Sequence, residues 1–140
     1  MGFLDKLKFD LWDDVAAVTT LLENWRPEKC KSEKDFENSL YKFLHAELGN
    51  TQITKQFAQG RIRADLAIGT KVIVELKFNL NTTAKYQRLI GQLDSYKGWE
   101  GRVIVLLVGE TEPNLFKELV AWTKKGGFFD LEGKISVFQK

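Results

Sequence analysis

A chain of 140 residues with 44% hydrophobic content, four Trp and ten Phe supports one domain with a real core and excludes a disordered polymer. Its single cysteine, Cys30, excludes an internal disulfide and any multi-cysteine metal site, and in the polar stretch 27–35 it reads as a bland thiol ahead of a nucleophile. The net charge is only +2, the longest apolar run (103–108) is too short to cross a bilayer, and Asp5, Lys6, Lys8 and Asp10 interrupt any signal-peptide core, so a cytoplasmic protein with no membrane partner is expected.

Apolar residues at 4, 7, 11, 15, 18, 22 and 25 step by three and four, which predicts an amphipathic N-terminal helix within 1–27 that Pro27 ends. Its stripe suits packing on the chain's own domain, with a dimer seam as the alternative. Ser32 to Asp35 has the form of a capping box opening a second helix, which buries Phe36, Leu40, Phe43, Leu44 and Leu48 and stops at Gly49-Asn50. Glu37 lies at the edge of that stripe, placed either to face water or to lean toward a sheet edge. His45, the single histidine, adjoins the apolar positions and reads as a partly buried helix residue rather than a ligand.

Thr51 to Ala58 predicts a first strand, turned by Gln59-Gly60 into a hairpin of two β-rich runs that meet at Gly69-Thr70-Lys71. If that loop holds three residues, Ile68 pairs with Val72 and Asp65 stands opposite Glu75. Alternation then puts Asp65, Glu75 and Lys77 on one face with Arg63, and Leu66, Val72, Val74 and Leu76 on the other. A two-residue loop would split the carboxylates between faces and bury charge without partners, so the three-residue loop is preferred. Two carboxylates about 5 Å apart across a hairpin repel unless a cation lies between them, and Mg²⁺ takes hard oxygen ligands of this kind. Lys77 could then hold or deprotonate an attacking water. The competing explanation is a surface hairpin whose charges pair with one another.

Beyond the hairpin, Asn81 or Thr82 caps a helix with a buried stripe of Tyr86, Leu89, Ile90, Leu93 and Tyr96, flanked by Arg88 and Gln92. Val103 to Val108 reads as a strand covered on both faces. Thr111-Glu112-Pro113 opens a further helix burying Leu115, Phe116, Leu119 and Val120 that stops at Gly126-Gly127, and 128–131 and 135–138 add one or two edge strands. The predicted order, α, α, β, β, β, α, β, α, β, is an α/β fold with a central mixed sheet flanked by helices. No glycine-rich phosphate loop follows any strand, which argues against a nucleotide-binding fold. Charge is unevenly spread: residues 51–102 hold nine Lys/Arg against four Asp/Glu, and the rest holds twelve against fifteen. A basic middle is what a polyanion requires, although a solvated charged surface gives the same asymmetry.

A helical Glu37, Asp65 at a strand end, Glu75-Leu76-Lys77 on the next strand, and a helix carrying Gln92 with Tyr96 four residues on together resemble the PD-(D/E)XK nuclease superfamily. The resemblance covers about 33–108. It implies a restriction-endonuclease-like αβββαβ core, preceded by the N-terminal helix (1–27) and followed by an αβ extension (109–140), all in one domain. It further implies hydrolysis of DNA phosphodiesters with Mg²⁺, or Mn²⁺ as substitute, by an endonuclease in preference to an exonuclease. Asp65 and Glu75 would ligate metal, Lys77 would activate or orient water, Glu37 would assist from further out, and Gln92 would help order the site. Ala64 stands where the motif name has proline. Arg61, Arg63, Lys85 and Arg88 are the candidate phosphate contacts. No residue excludes RNA as the substrate, clasping a duplex would call for a homodimer, and the alternative function is a non-catalytic nucleic-acid-binding or assembly module on the same fold.

Overall fold

The computed structural model describes residues 11–49, 51–124 and 134–140. In chain order the elements are α1 (Leu11–Asn24), α2 (Glu33–Leu48), β1 (Ile53–Gln59), β2 (Ile62–Ile68), β3 (Val72–Phe78), α3 (Thr83–Asp94), β4 (Arg102–Val108), α4 (Pro113–Thr123) and β5 (Ile135–Gln139). The expected helical residues 4–10, the stop at Gly126-Gly127 and the strand at 128–131 lie outside the described residues.

The strands form one mixed sheet in the order β1-β2-β3-β4-β5. β1, β2 and β3 run antiparallel as a meander, and β4 and β5 join parallel to β3 through the crossover helices α3 and α4. Together α2, the three meander strands, α3 and β4 make the αβββαβ core, with α1 before it and α4 and β5 after it. Because a parallel strand between two crossovers is covered twice, β4 is buried from Val103 to Val108.

Two apolar layers result, one per face of the sheet. One joins α1 and α2 (Leu22, Trp25, Leu40, Leu44) to Leu66, Val72, Val74, Leu76, Ile104 and Leu106. The other joins α3 and α4 (Leu89, Leu93, Leu119) to Ile73, Val103, Val105 and Leu107. Each large side chain so buried contributes roughly 1.5–3 kcal/mol of transfer free energy.

The helix ends follow from local chemistry. Ser32 caps α2 by accepting the Asp35 amide at 3.1 Å, and the Asp35 carboxylate reaches back to the Lys31 amide at 3.0 Å. Thr82 caps α3, while Glu112 caps α4 ahead of Pro113 by accepting the amides of Asn114 and Leu115. His45 departs from expectation. It is exposed and stacks on Tyr41 with ring centroids 5.8 Å apart, because its position on α2 falls just outside the buried stripe.

Candidate metal and phosphodiester site

The β2–β3 loop holds three residues, and Ile68 pairs with Val72 as the hairpin chemistry predicts. That register continues to Leu66↔Val74 and stops there, one pair short of setting Asp65 opposite Glu75. The reason lies in β1–β2. Ile53, Leu66 and Ile68 face the α1/α2 layer, but Phe57, Ile62 and Ala64, an even number of residues away, face the α3/α4 layer. The strand pair changes sides at the Gln56/Asp65 position, where Gln56 has φ 51°. As β2 turns away from β3, the Asp65 carboxylate enters the gap and its Oδ2 accepts the Leu76 amide at 2.7 Å, in place of a backbone carbonyl.

Glu75 projects from β3 toward the α3 side and is 1% exposed. Its Oε2 lies 3.3 Å from the Lys77 ammonium, two residues along the same face, so the amine stays at the site. Its Oε1 lies 2.9 Å from the Tyr96 hydroxyl, which also meets the Arg63 carbonyl at 2.5 Å. Gln92 Nε2 donates to the same Arg63 carbonyl at 3.1 Å, so Gln92 and Tyr96 lash the α3 region to β2 beside Asp65. The hydroxyl can donate to the Arg63 carbonyl or to Glu75 Oε1, not to both at once.

Burial shifts both carboxyls of the pair. Desolvation first, then the Asp65 charge, pushes the Glu75 carboxyl up to about 8, against which the nearby Lys77 ammonium and the Tyr96 hydroxyl pull it down. Asp65 is raised to about 6, again chiefly by burial; the Leu76 amide opposes the shift, and the charges of Glu33 and Glu37 add to it. Tyr96 is raised by burial and by Glu75.

Such a pair suits a hard divalent cation. Glu75 Oε2 is buried, and its partner among the described residues is the Lys77 ammonium at 3.3 Å. Two desolvated carboxylates of raised pKa bind a cation in exchange for their protons. Among the described residues no group of three or more His, Cys, Asp or Glu is gathered for a metal, so Asp65 and Glu75 stand as a pair. Glu37 is held by its own partner, though its charge reaches Asp65. It is buried on α2, and both of its oxygens accept from Gln56 Nε2, at 2.9 and 3.0 Å.

The basic residues divide. Lys77, Lys85 and Arg88 line a cleft of about 280 Å³ with Glu33, Phe78 and Leu80, linked to the carboxylate pair through the Lys77 contact with Glu75. Lys85 is steadied there by the Asn79 carbonyl at 3.1 Å, and Asn79 adopts φ 56° where the chain leaves β3. Arg61 and Arg63 do not line this cleft. They are exposed on the β1–β2 hairpin, and the Arg63 guanidinium folds back onto the carbonyls of Gly60 and Ile62. Gln56 was not marked by any motif. Counting back from a two-residue Gly60-Arg61 loop places it opposite Asp65, which was the available signal.

No protein-family model matches this chain, and no curated protein matches it. Among solved structures, that of Pyrococcus furiosus SfsA in complex with Ca²⁺ aligns over 76% of this chain at 19% identity, with a TM-score of 0.45. The chain spans 54% of that protein's length. The fold and site thus define an α/β protein with an αβββαβ core and a buried carboxylate pair attended by a lysine. Among the described residues no helix is long and apolar enough to cross a membrane.

Proposed function

We propose that this chain is a metal-dependent nuclease of the PD-(D/E)XK kind that hydrolyses DNA phosphodiester bonds. The observation that carries the reading is the buried Glu75, one oxygen of which meets only the Lys77 ammonium among the described residues, with the Asp65 charge acting on it. Asp65 and Glu75 would hold Mg²⁺ or Mn²⁺. When bound, the ion supplies positive charge for a phosphate oxygen and the leaving oxygen and acidifies a coordinated water. Lys77, which lies against Glu75, would position the attacking water and stabilise charge on the phosphate. Lys85 and Arg88 in the adjoining cleft receive the flanking phosphates. Tyr96 and Gln92 hold the Arg63 carbonyl, which fixes the strand that carries Asp65.

The test is cleavage of mixed single- and double-stranded DNA with Mg²⁺ and with Mn²⁺. Wild-type chain should cut, while Asp65→Ala, Glu75→Ala and Lys77→Ala should each fall at least about a hundredfold, the scale on which loss of one electrostatic group acts. Wild-type cutting no better than Glu75→Ala would reject the reading. RNA belongs in the same panel as a further substrate.

One observation favours a second reading, a non-catalytic nucleic-acid-binding or assembly module. The Lys77–Glu75 contact neutralises the buried carboxylate without a metal, as a structural charge network would. Calorimetric titration separates the two, because such a network shows no saturable Mn²⁺ site.

A further inference from the structure

Glu37 leads to a residue outside the acid-acid-lysine set. Both of its carboxylate oxygens accept from one donor, the Gln56 amide nitrogen, and among the described residues this amide, not a cation, is what holds it. Gln56 has φ 51°, a left-handed conformation that is costly for a residue with a Cβ and persists only where the surroundings over-determine it. It lies between the pairs Lys55↔Leu66 and Phe57↔Ala64, across from Asp65, where the hairpin switches its apolar side chains from one layer to the other. Glycine or asparagine would make that backbone turn more cheaply. A glutamine there calls for a second reason, and its double contact with Glu37 supplies one.

We propose that Gln56 is a positioning residue: its amide fixes the Glu37 carboxylate, whose charge reaches Asp65, as outer support for the divalent cation, and its left-handed backbone delivers that amide. The inference rests on the metal-dependent nuclease reading and deepens it. Neither Gln56 nor Glu37 need touch the ion, since a partner that orients a ligand or sets the charge around it acts through that ligand.

The test uses the full chain as wild type, Gln56→Gly, Gln56→Ala, Glu37→Gln and the Gln56→Gly/Glu37→Gln double variant. Mn²⁺ affinity is read by calorimetry, and Tm is read in EDTA. Glycine adopts φ 51° freely, so Gln56→Gly should melt above Gln56→Ala in the metal-free chain, both lacking the amide, while weakening Mn²⁺ binding roughly 10- to 100-fold, the usual effect of losing such a partner. In the Glu37→Gln background the same change should weaken binding little further. Gln56→Ala keeps the backbone penalty and drops the amide, so it should also bind Mn²⁺ more weakly and guards against a glycine variant that fails to fold. Unchanged Mn²⁺ affinity in both Gln56 variants overturns the proposal, as does a loss that persists in full without the Glu37 carboxylate. A wild type that binds Mn²⁺ and cuts DNA alongside unaffected Gln56 variants fails this inference alone. A wild type that binds no Mn²⁺ fails the nuclease reading and the inference together.

Discussion

A carboxyl that is 1% exposed can be neutral or can be paired, and Glu75 is built to do each in turn. Without a cation it takes up a proton as pH falls through about 8, to which burial and Asp65 raise it from an ordinary 4.5, and above that pH it is a carboxylate paired with Lys77; Asp65 is raised to about 6 from 3.8. Both folded values lie above the unfolded ones, so across the interval between them the folded chain binds more protons than the unfolded chain. The stability these two groups contribute is therefore fully present below about pH 4 and is lost as pH rises through 6 and then 8. Glu75→Gln cannot ionise, so in EDTA the Tm of wild type relative to this variant should fall steadily between about pH 5 and pH 9. A gap that does not change with pH would show that Glu75 ionises freely in the fold. Metal binding displaces the same protons, so Mn²⁺ affinity should rise over that window, and Glu75→Gln should abolish it. Tyr96→Phe removes the donor to the Arg63 carbonyl and the partner of Glu75; a cost of about 1–2 kcal/mol in urea denaturation is expected.

Elements were legible where local chemistry decides them. Ser32 and Asp35 mark the start of α2 because side-chain oxygens are the only nearby acceptors for amides that a helix leaves unpaired. The three-residue loop after Ile68 fixed the hairpin register, since a slip by one would put Asp65 and Glu75 on opposite faces. What alternation could not show was the reversal at Gln56 and Asp65. A period of two assumes a regular strand, and nothing in a glutamine announces a positive φ. The early end of the β2–β3 ladder, and with it the Asp65 contact to Leu76, was therefore hidden, as was the hold of Gln56 on Glu37. His45 was misplaced for a related reason: adjacency in sequence to Leu44 says little about a position one hundred degrees round the helix. The capping argument carries its own test. Ser32→Ala should destabilise the chain by about 1 kcal/mol, read from the denaturation midpoint, and a neutral result would show that α2 does not depend on that cap.

At the scale of the whole molecule, the sheet converts a charge excess spread over residues 51–102 into two separate basic surfaces. Lys77, Lys85 and Arg88 come together in one cleft because only four residues, 79–82, separate the end of β3 from the start of α3. Arg61 and Arg63 are carried off on the β1–β2 hairpin, where the Arg63 guanidinium is already engaged with backbone carbonyls. A phosphate chain held over the site should therefore meet the cleft cations first. Each phosphate neutralised releases condensed counterions, so the slope of log affinity against log salt reports the number of contacts, at roughly 0.9 per phosphate on duplex DNA. Measured with Ca²⁺ or with Glu75→Ala to prevent cutting, Lys85→Ala/Arg88→Ala should lower that slope by nearly two and weaken all sequences alike. Arg61→Ala/Arg63→Ala should lower it by less. Equal losses from both pairs would extend the binding surface across the hairpin, and a slope unmoved by the Lys85/Arg88 pair would remove the cleft from the path of the nucleic acid.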